Sequence, residues 1–259
     1  MRAFDDLVAE ADAADVSGWD FGWLDGRASE ERPPWGYARL LAERLTTVDS
    51  ALDLDTGGGE VLGEARSFPA RMVATEGWPP NLQRARSTLR PRGVDVVDVA
   101  PGKPLPFPDA TFALVTARHP VAPDWREIHR VLRPGGSYFA QHVGPASAFE
   151  LIEEFRGPLG NEREARDPAA ESSAARAAGL EVTALLTASC RMEFHDVGAV
   201  VWTLRKCVWW VPDFSVDKYR GTLLRLDSQM RRGIPFVATS TRHLIEARRP
   251  ARATTSAPW

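Results

Sequence analysis

The chain has 259 residues, of which 44% are apolar and 26% charged, a globular composition that excludes a disordered chain, a collagen and a disulfide-stapled miniprotein. Its net charge of −3 is unevenly spread: residues 205–259 hold eleven Lys/Arg and four Asp/Glu, hence +7, which leaves −10 for residues 1–204. No block of five basic residues occurs, so the C-terminal arginines read first as solvated faces and second as a surface for an anionic partner.

The two cysteines, Cys190 and Cys207, are too few for a disulfide framework and lack zinc-ligand spacing, so no metal is expected and a reduced, cytoplasmic setting is. Arg2, Asp5, Asp6 and Glu10 interrupt what a signal peptide needs as an apolar stretch. No run of about 18 apolar residues follows, so no membrane partner is expected.

In chain order, two helical stretches at residues 4–14 and 35–46 flank an aromatic and acidic segment at 19–26, which together predict an N-terminal helical cap over residues 1–50. Short apolar runs at 51–55, 71–75, 94–99, 111–117 and 137–143 then predict strands, with helices at 80–89 and 125–132. Pro101, Pro104, Pro106 and Pro108 keep the intervening segment irregular. Farther on come helices at 147–156 and 169–178, the second stopped by Gly179, a strand within 180–195, helices at 197–207 and 216–231, and a strand within 236–246. The expected fold is α/β, doubly wound and Rossmann-like, a mostly parallel seven-stranded sheet behind the cap. Its expected domain spans residues 51–250 with an insertion near 205–232, and residues 251–259 have a tail's composition.

The strongest local signal is the strand at Ala51 running into Asp53-Leu54-Asp55-Thr56-Gly57-Gly58-Gly59. Glycines at a strand-to-helix turn let backbone approach a ligand where a Cβ would collide, a plain flexible turn being the alternative. The spacing is wrong for a dinucleotide: counted from Gly57 the sixth position is Leu62, and counted from Gly58 the third is Glu60. Glu76 closes the next strand, 23 positions after Asp53, close to the spacing of an acid that accepts hydrogen bonds from ribose hydroxyls.

These residues resemble the class I S-adenosylmethionine-dependent methyltransferases, type 11-like. Asp53, Gly57 and Gly59 match the family's first motif, Glu76 its second, and residues 105–115 and 127–136 two further stretches. The resemblance covers about residues 51–143. It implies S-adenosylmethionine as cofactor, held by Asp53, Asp55, Thr56, Gly57, Gly59, Glu76 and Asp98, and a structural turn at residues 132–136. Two positions depart from it: Asp55 stands where the family has its first glycine, and Ala113 where it usually has an aspartate.

Displacing a methyl from a sulfonium needs positioning more than acid catalysis. His119 and His142, at the ends of the fourth and fifth core strands, are candidate bases, with a hydrogen-bonding wall as their other reading. Trp19, Trp23, Trp35 and Tyr37 are candidate substrate-side residues, forming a lid before the fold, and Gln141 joins them; Trp202 reads as core. The motifs of amino-methylating and pyrimidine-methylating nucleic-acid enzymes are missing after the fourth strand and around the cysteines. A small-molecule acceptor therefore leads. A ribosomal or transfer RNA acceptor is carried by the basic C-terminal region, and a binding module without turnover by Asp55 and Ala113. Oligomeric state is not indicated.

Overall fold

The apolar run Ser50–Leu54 forms a strand buried along nearly its whole length, and the elements around it arise from equally local causes. The computed structural model describes residues 2–251. Its strands are β1 (Ala28–Glu30), β2 (Ser50–Leu54), β3 (Arg71–Glu76), β4 (Asp95–Asp98), β5 (Phe112–Arg118), β6 (Leu132–Val143), β7 (Glu181–Phe194) and β8 (Phe236–Arg248). Its α-helices are α1 (Phe4–Ala13), α2 (Tyr37–Leu45), α3 (Glu60–Gly63), α4 (Pro79–Leu89), α5 (Trp125–Val131), α6 (Phe149–Arg156), α7 (Pro168–Ala177), α8 (Val197–Lys206) and α9 (Arg220–Met230). Carboxylates satisfy the orphan N–H groups at three helix starts: Asp124 accepts from Arg126 and Glu127, Asp167 from Ala169 and Ala170, and Asp196 from Ala199.

The strand order is β1-β7-β8-β6-β5-β2-β3-β4. The sheet thus has eight strands where seven are expected. The extra one is β1, whose Ala28 and Glu30 lie opposite Phe194 and Met192 in antiparallel pairing. Ala-Ser-Glu shows no apolar alternation, so only its partner strand makes it a strand.

By their contacts the described residues divide into two units: residues 2–33, 144–165 and 188–242 form the first, and 34–143, 166–187 and 243–251 the second. Residues 1–50, anticipated as one cap, are shared between them, and residues 205–232 belong to the first. The tail anticipated at 251–259 lies, after Ala251, outside the described residues.

In the first unit α1 packs on α8, and Leu7, Val8 and Ala11 share a core with Val200, Val201, Trp202 and Leu223. Trp202 is buried as expected, its ring stacked on Trp23 and its N–H donating to the Asp15 carbonyl at 3.1 Å. Arg205 pairs with Asp12, Arg220 with Asp5, Arg225 with Glu154 and Arg242 with Glu30. Four arginines of the positive stretch are thus matched by acids of the negative one.

In the second unit β2, β3 and β4 run one way from the centre and β5 and β6 the other, all pairings parallel. The order reverses between β2 and β5, and a crevice at the carboxyl ends of the strands is where such sheets bind ligands. Helices cover both faces: Tyr37 of α2 stacks on Phe139, while Trp125 of α5 meets Tyr138 edge-on from the other side. The segments 105–115 and 127–136 hold each other. Arg130 donates to the carbonyls of Leu105 and Phe107 at 2.9 and 2.6 Å, and Glu127 accepts from the Leu105 N–H at 2.7 Å. Residues 132–136, expected as a turn, instead open β6, with a register shift against β5 between Phe112 and Leu114; a Cβ on Gly136 would come within 3.0 Å of the Ala113 carbonyl oxygen, so only glycine lets β6 draw this close to β5.

Candidate active site

The turn after β2 is built by backbone. Thr56 N–H donates to the Thr75 carbonyl at 2.9 Å, and Gly57 N–H to Oε2 of Glu76 at 2.8 Å. Gly57 and Gly59 take φ of +66° and +83°, and a Cβ on Gly59 would strike Leu89 of α4 at 2.8 Å. Asp55 also has a positive φ, +51°. The chain has kept a glycine's backbone shape at this position with an aspartate in it, a conformation aspartate tolerates better than most residues but at some cost.

Three carboxylates gather at this turn. Asp53 is buried and accepts from the Thr116 hydroxyl on β5 at 2.6 Å. Burial, with a smaller contribution from the neighbouring Asp55, pushes its pKa up to about 6 against the opposing hydrogen bond from Thr116. Glu76 is buried too and takes the N–H of Trp78 on its other oxygen at 2.8 Å. Burial raises its pKa, opposed by the Trp78 and Gly57 N–H groups and reinforced by Asp55. Asp55 reaches across to the loop after β5, 3.5 Å from the Val121 N–H, and burial raises its pKa as well. None of the three is in an ion pair among the described residues.

At the ends of β5 and β6 a second group forms. Trp35 N–H donates to Oε1 of Gln141 at 2.8 Å, and Gln141 Nε2 lies 3.0 Å from Nε2 of His119. Indole nitrogen can only donate, so the Gln141 amide has one orientation and presents its NH2 to His119, whose Nε2 must then accept. His119 is thereby a neutral imidazole with its proton on Nδ1. Its own N–H donates to the Gln141 carbonyl at 2.7 Å, its φ being +58°. Tyr37 donates to the Ala117 carbonyl at 2.9 Å.

Residues 52–140, which include the turn, Glu76 and His119 and end one residue before Gln141, match the methyltransferase-domain family. This segment belongs to that family. No curated protein matches the chain. Among solved structures, a candidate methyltransferase from Bacillus halodurans C-125 is 19% identical, covering 81% of this chain and 99% of its own, with a TM-score of 0.58. The cyclase SpnF is 21% identical over 83% of this chain and 80% of its own, with a TM-score of 0.52. A geranyl diphosphate methyltransferase solved with S-adenosylmethionine is 16% identical over 82% and 84%, at a TM-score of 0.50. At these identities the likeness is one of fold.

The donor set of the methyltransferase domain fits such a cofactor. Uncompensated carboxylates raised by burial and mutual repulsion favour a cationic ligand at the turn, and Glu76, with each oxygen accepting one N–H, retains acceptor capacity for ribose hydroxyls. Asp98 lies opposite Glu76 in register at the end of β4 and is exposed.

Other candidates are dispersed. Trp35 and Tyr37 stand with Gln141 and His119 in the methyltransferase domain's own unit. Trp19 and Trp23 belong to the first unit, where Trp19 meets Trp209 and Trp23 stacks on Trp202. His142 corrects the expectation that it joins His119. Successive strand residues face opposite ways, so with Gln141 on the α2 side, His142 turns to the α5 and α7 side with Tyr138. There Nδ1 meets Glu171 and the ring is buried. Glu171 and His243, both in this cluster, escaped the sequence reading because no motif or spacing joins them to residue 142.

Proposed function

We propose that the chain is an S-adenosylmethionine-dependent methyltransferase acting on a small-molecule acceptor. The observation that carries this is the set of three carboxylates, Asp53, Asp55 and Glu76, without ion pairs among the described residues, around the glycine turn at the sheet's switch point. A sulfonium nucleoside supplies an electrophilic methyl, a positive charge and two ribose hydroxyls. Glu76 would hold the hydroxyls, with Thr56, Gly57 and Gly59 lending backbone; Asp53 and Asp55 would face the cationic part, and Asp98 the base. His119, its Nε2 engaged by Gln141, serves as a polar wall with a fixed tautomer beside Trp35 and Tyr37. The acceptor is oriented there with water displaced. Such a reaction generates a neutral thioether leaving group, so no acid is required.

The pairing of Arg205, Arg220, Arg225 and Arg242 with acids supports a small-molecule acceptor over RNA. A second reading, cofactor binding without methyl transfer, is favoured by Asp55 at a glycine position. The two buried thiols, Cys190 and Cys207, suit a reduced cytoplasmic setting, and among the described residues no helix is long and apolar enough to cross a membrane.

Calorimetry with S-adenosylmethionine and its demethylated product, followed by release of that product with panels of small amines, alcohols and acids and with RNA, tests these readings. One saturable site and turnover with a small acceptor are expected. Absence of binding rejects the proposal, binding with no turnover on any panel favours the second reading, and turnover on RNA alone rejects the small-molecule acceptor.

A further inference from the structure

Three residues far apart in the sequence meet in the second unit away from the glycine turn's carboxylates. His142 ends β6, His243 lies on β8 and Glu171 on the helix α7. Nδ1 of His142 is 2.5 Å and Nε2 of His243 2.9 Å from the same oxygen, Oε2 of Glu171. One ligand atom from each residue lies within 4.8 Å of the other two. Both imidazoles are buried, their rings 5.0 Å apart, while the Glu171 side chain keeps 18% exposure.

The residue types of the cluster are those that ligate metals. Burial works to raise the Glu171 pKa, but hydrogen bonds from His142 and His243 outweigh it and hold the carboxylate at about 2. Burial lowers the His142 pKa, opposed by Glu171 and reinforced by His243 and the exposed Arg166. Nδ1 of His243 is buried with no hydrogen-bond partner, so Glu171 is the polar group this ring meets among the described residues. A carboxylate with two imidazoles is the donor set of borderline divalent transition metals, whereas magnesium and calcium prefer all-oxygen surroundings.

The surroundings are also those of a supported site. The Tyr138 hydroxyl lies 3.0 Å from the far nitrogen of His142, and the Trp125 ring stacks on the same imidazole, at 6.2 Å between centroids. An outer hydroxyl of this kind fixes a ligand ring's orientation and tautomer. When Nδ1 gives its lone pair to a cation, the ring's proton resides on Nε2 and Tyr138 changes from donor to acceptor. Each ring would then carry its proton on the nitrogen away from the ion: Nε2 of His142, which faces Tyr138, and Nδ1 of His243, which has no partner and bears that cost.

We infer that His142, Glu171 and His243 form a binding site for one divalent transition-metal ion of the zinc type. Tetrahedral zinc ligands at about 2.0–2.1 Å stand about 3.3 Å from one another, so Glu171 has to withdraw by less than about 1 Å. The carboxylate is the partly exposed member, on a side chain with three free torsions, so it is the ligand able to make that adjustment. Three protein ligands leave a position open to water, and the ion would tie α7 to β6 and β8.

The test uses the full chain freed of metal by a chelator and titrated with zinc chloride by calorimetry, with cobalt chloride followed by visible absorption, and with magnesium chloride as a contrast. One equivalent of zinc with micromolar or tighter affinity, a rise in melting temperature and the absorption of nitrogen-ligated cobalt are expected. Glu171→Gln and His243→Asn should each weaken binding at least about tenfold, while His195→Asn, at an exposed histidine of the first unit, should not. Should either variant fail to fold, the stoichiometry and cobalt spectrum of the unaltered chain decide. No saturable zinc binding, binding undiminished in both folded variants, loss in His195→Asn instead, or magnesium binding as tight as zinc would each overturn the site. None of these outcomes depends on whether the chain binds S-adenosylmethionine.

Discussion

The indole of Trp35 sets the tautomer of His119 through the amide of Gln141. Its N–H meets Oε1 of Gln141, 106 positions away, at 2.8 Å, and the amide so oriented turns its NH2 to His119. Trp35→Phe removes the donor and leaves Oε1 of a buried glutamine unsatisfied, which costs about 1–3 kcal/mol. Chemical denaturation should show that loss, and nitrogen NMR should show His119 exchanging between tautomers. Unchanged stability with a single Nδ1–H tautomer would reject the relay.

Glu76 has a structural duty as well as the proposed ligand one, since its two oxygens accept the N–H groups of Gly57 and Trp78. An amide can satisfy only one of them. Glu76→Gln should therefore destabilise the chain by about 1–3 kcal/mol and weaken S-adenosylmethionine at least tenfold, through the lost charge-assisted bonds. Calorimetry at a temperature where the variant is folded separates the two effects; full affinity in the folded variant would remove Glu76 from the cofactor site.

Asp55 occupies left-handed backbone, φ +51°, beside two other acids. Asp55→Gly should relieve both strain and repulsion, stabilising the unliganded chain by about 1 kcal/mol. Cofactor affinity should be kept or improved. A lower melting temperature would contradict the strain argument. A clear loss of affinity would make Asp55 itself a ligand of the cofactor.

Asp53 gives the chain a pH dependence with a definite sign. Its carboxyl ionises at about 6 when folded against the usual 3.8, so the unfolded chain releases this proton first as pH rises. Below the unfolded value Asp53 is neutral in both states and costs nothing. Between about pH 4 and 6 its contribution to stability falls, and above 6 the full penalty, about 3 kcal/mol, is present. Asp53→Asn, which can still accept from Thr116, should then be more stable than the parent at pH 7 to 8 and lose that advantage toward pH 4. A stability difference independent of pH over this range would place the Asp53 pKa near its ordinary value.

Much of the second unit could be read from local sequence because its causes are local. Apolar runs of five to seven residues, the prolines before residue 110 and the glycines at 57, 59 and 136 act through neighbouring backbone, so strands β2 to β5 lie within a residue or two of where periodicity puts them, while β6 starts at Leu132, inside the expected turn, because it pairs with β5 from Phe112 onward. Asp53, the glycines and Glu76 were legible together because a strand, a turn and the next strand place their ends at one edge of a parallel sheet whatever surrounds them. Strand β1 was not legible, since three polar-flanked residues pair only because β7 offers its edge. The separation of His119 from His142 was also decided by the fold. Both follow apolar strands, but the pleat points residues 141 and 142 to opposite faces, and which face meets α2 or α7 depends on packing. Glu171 and His243 carry no mark of each other at 72 positions' separation. Only when α7 lies over the strands bearing His142 and His243 do a carboxylate and two imidazoles come within bonding distance, because such contacts are a property of the folded chain's geometry.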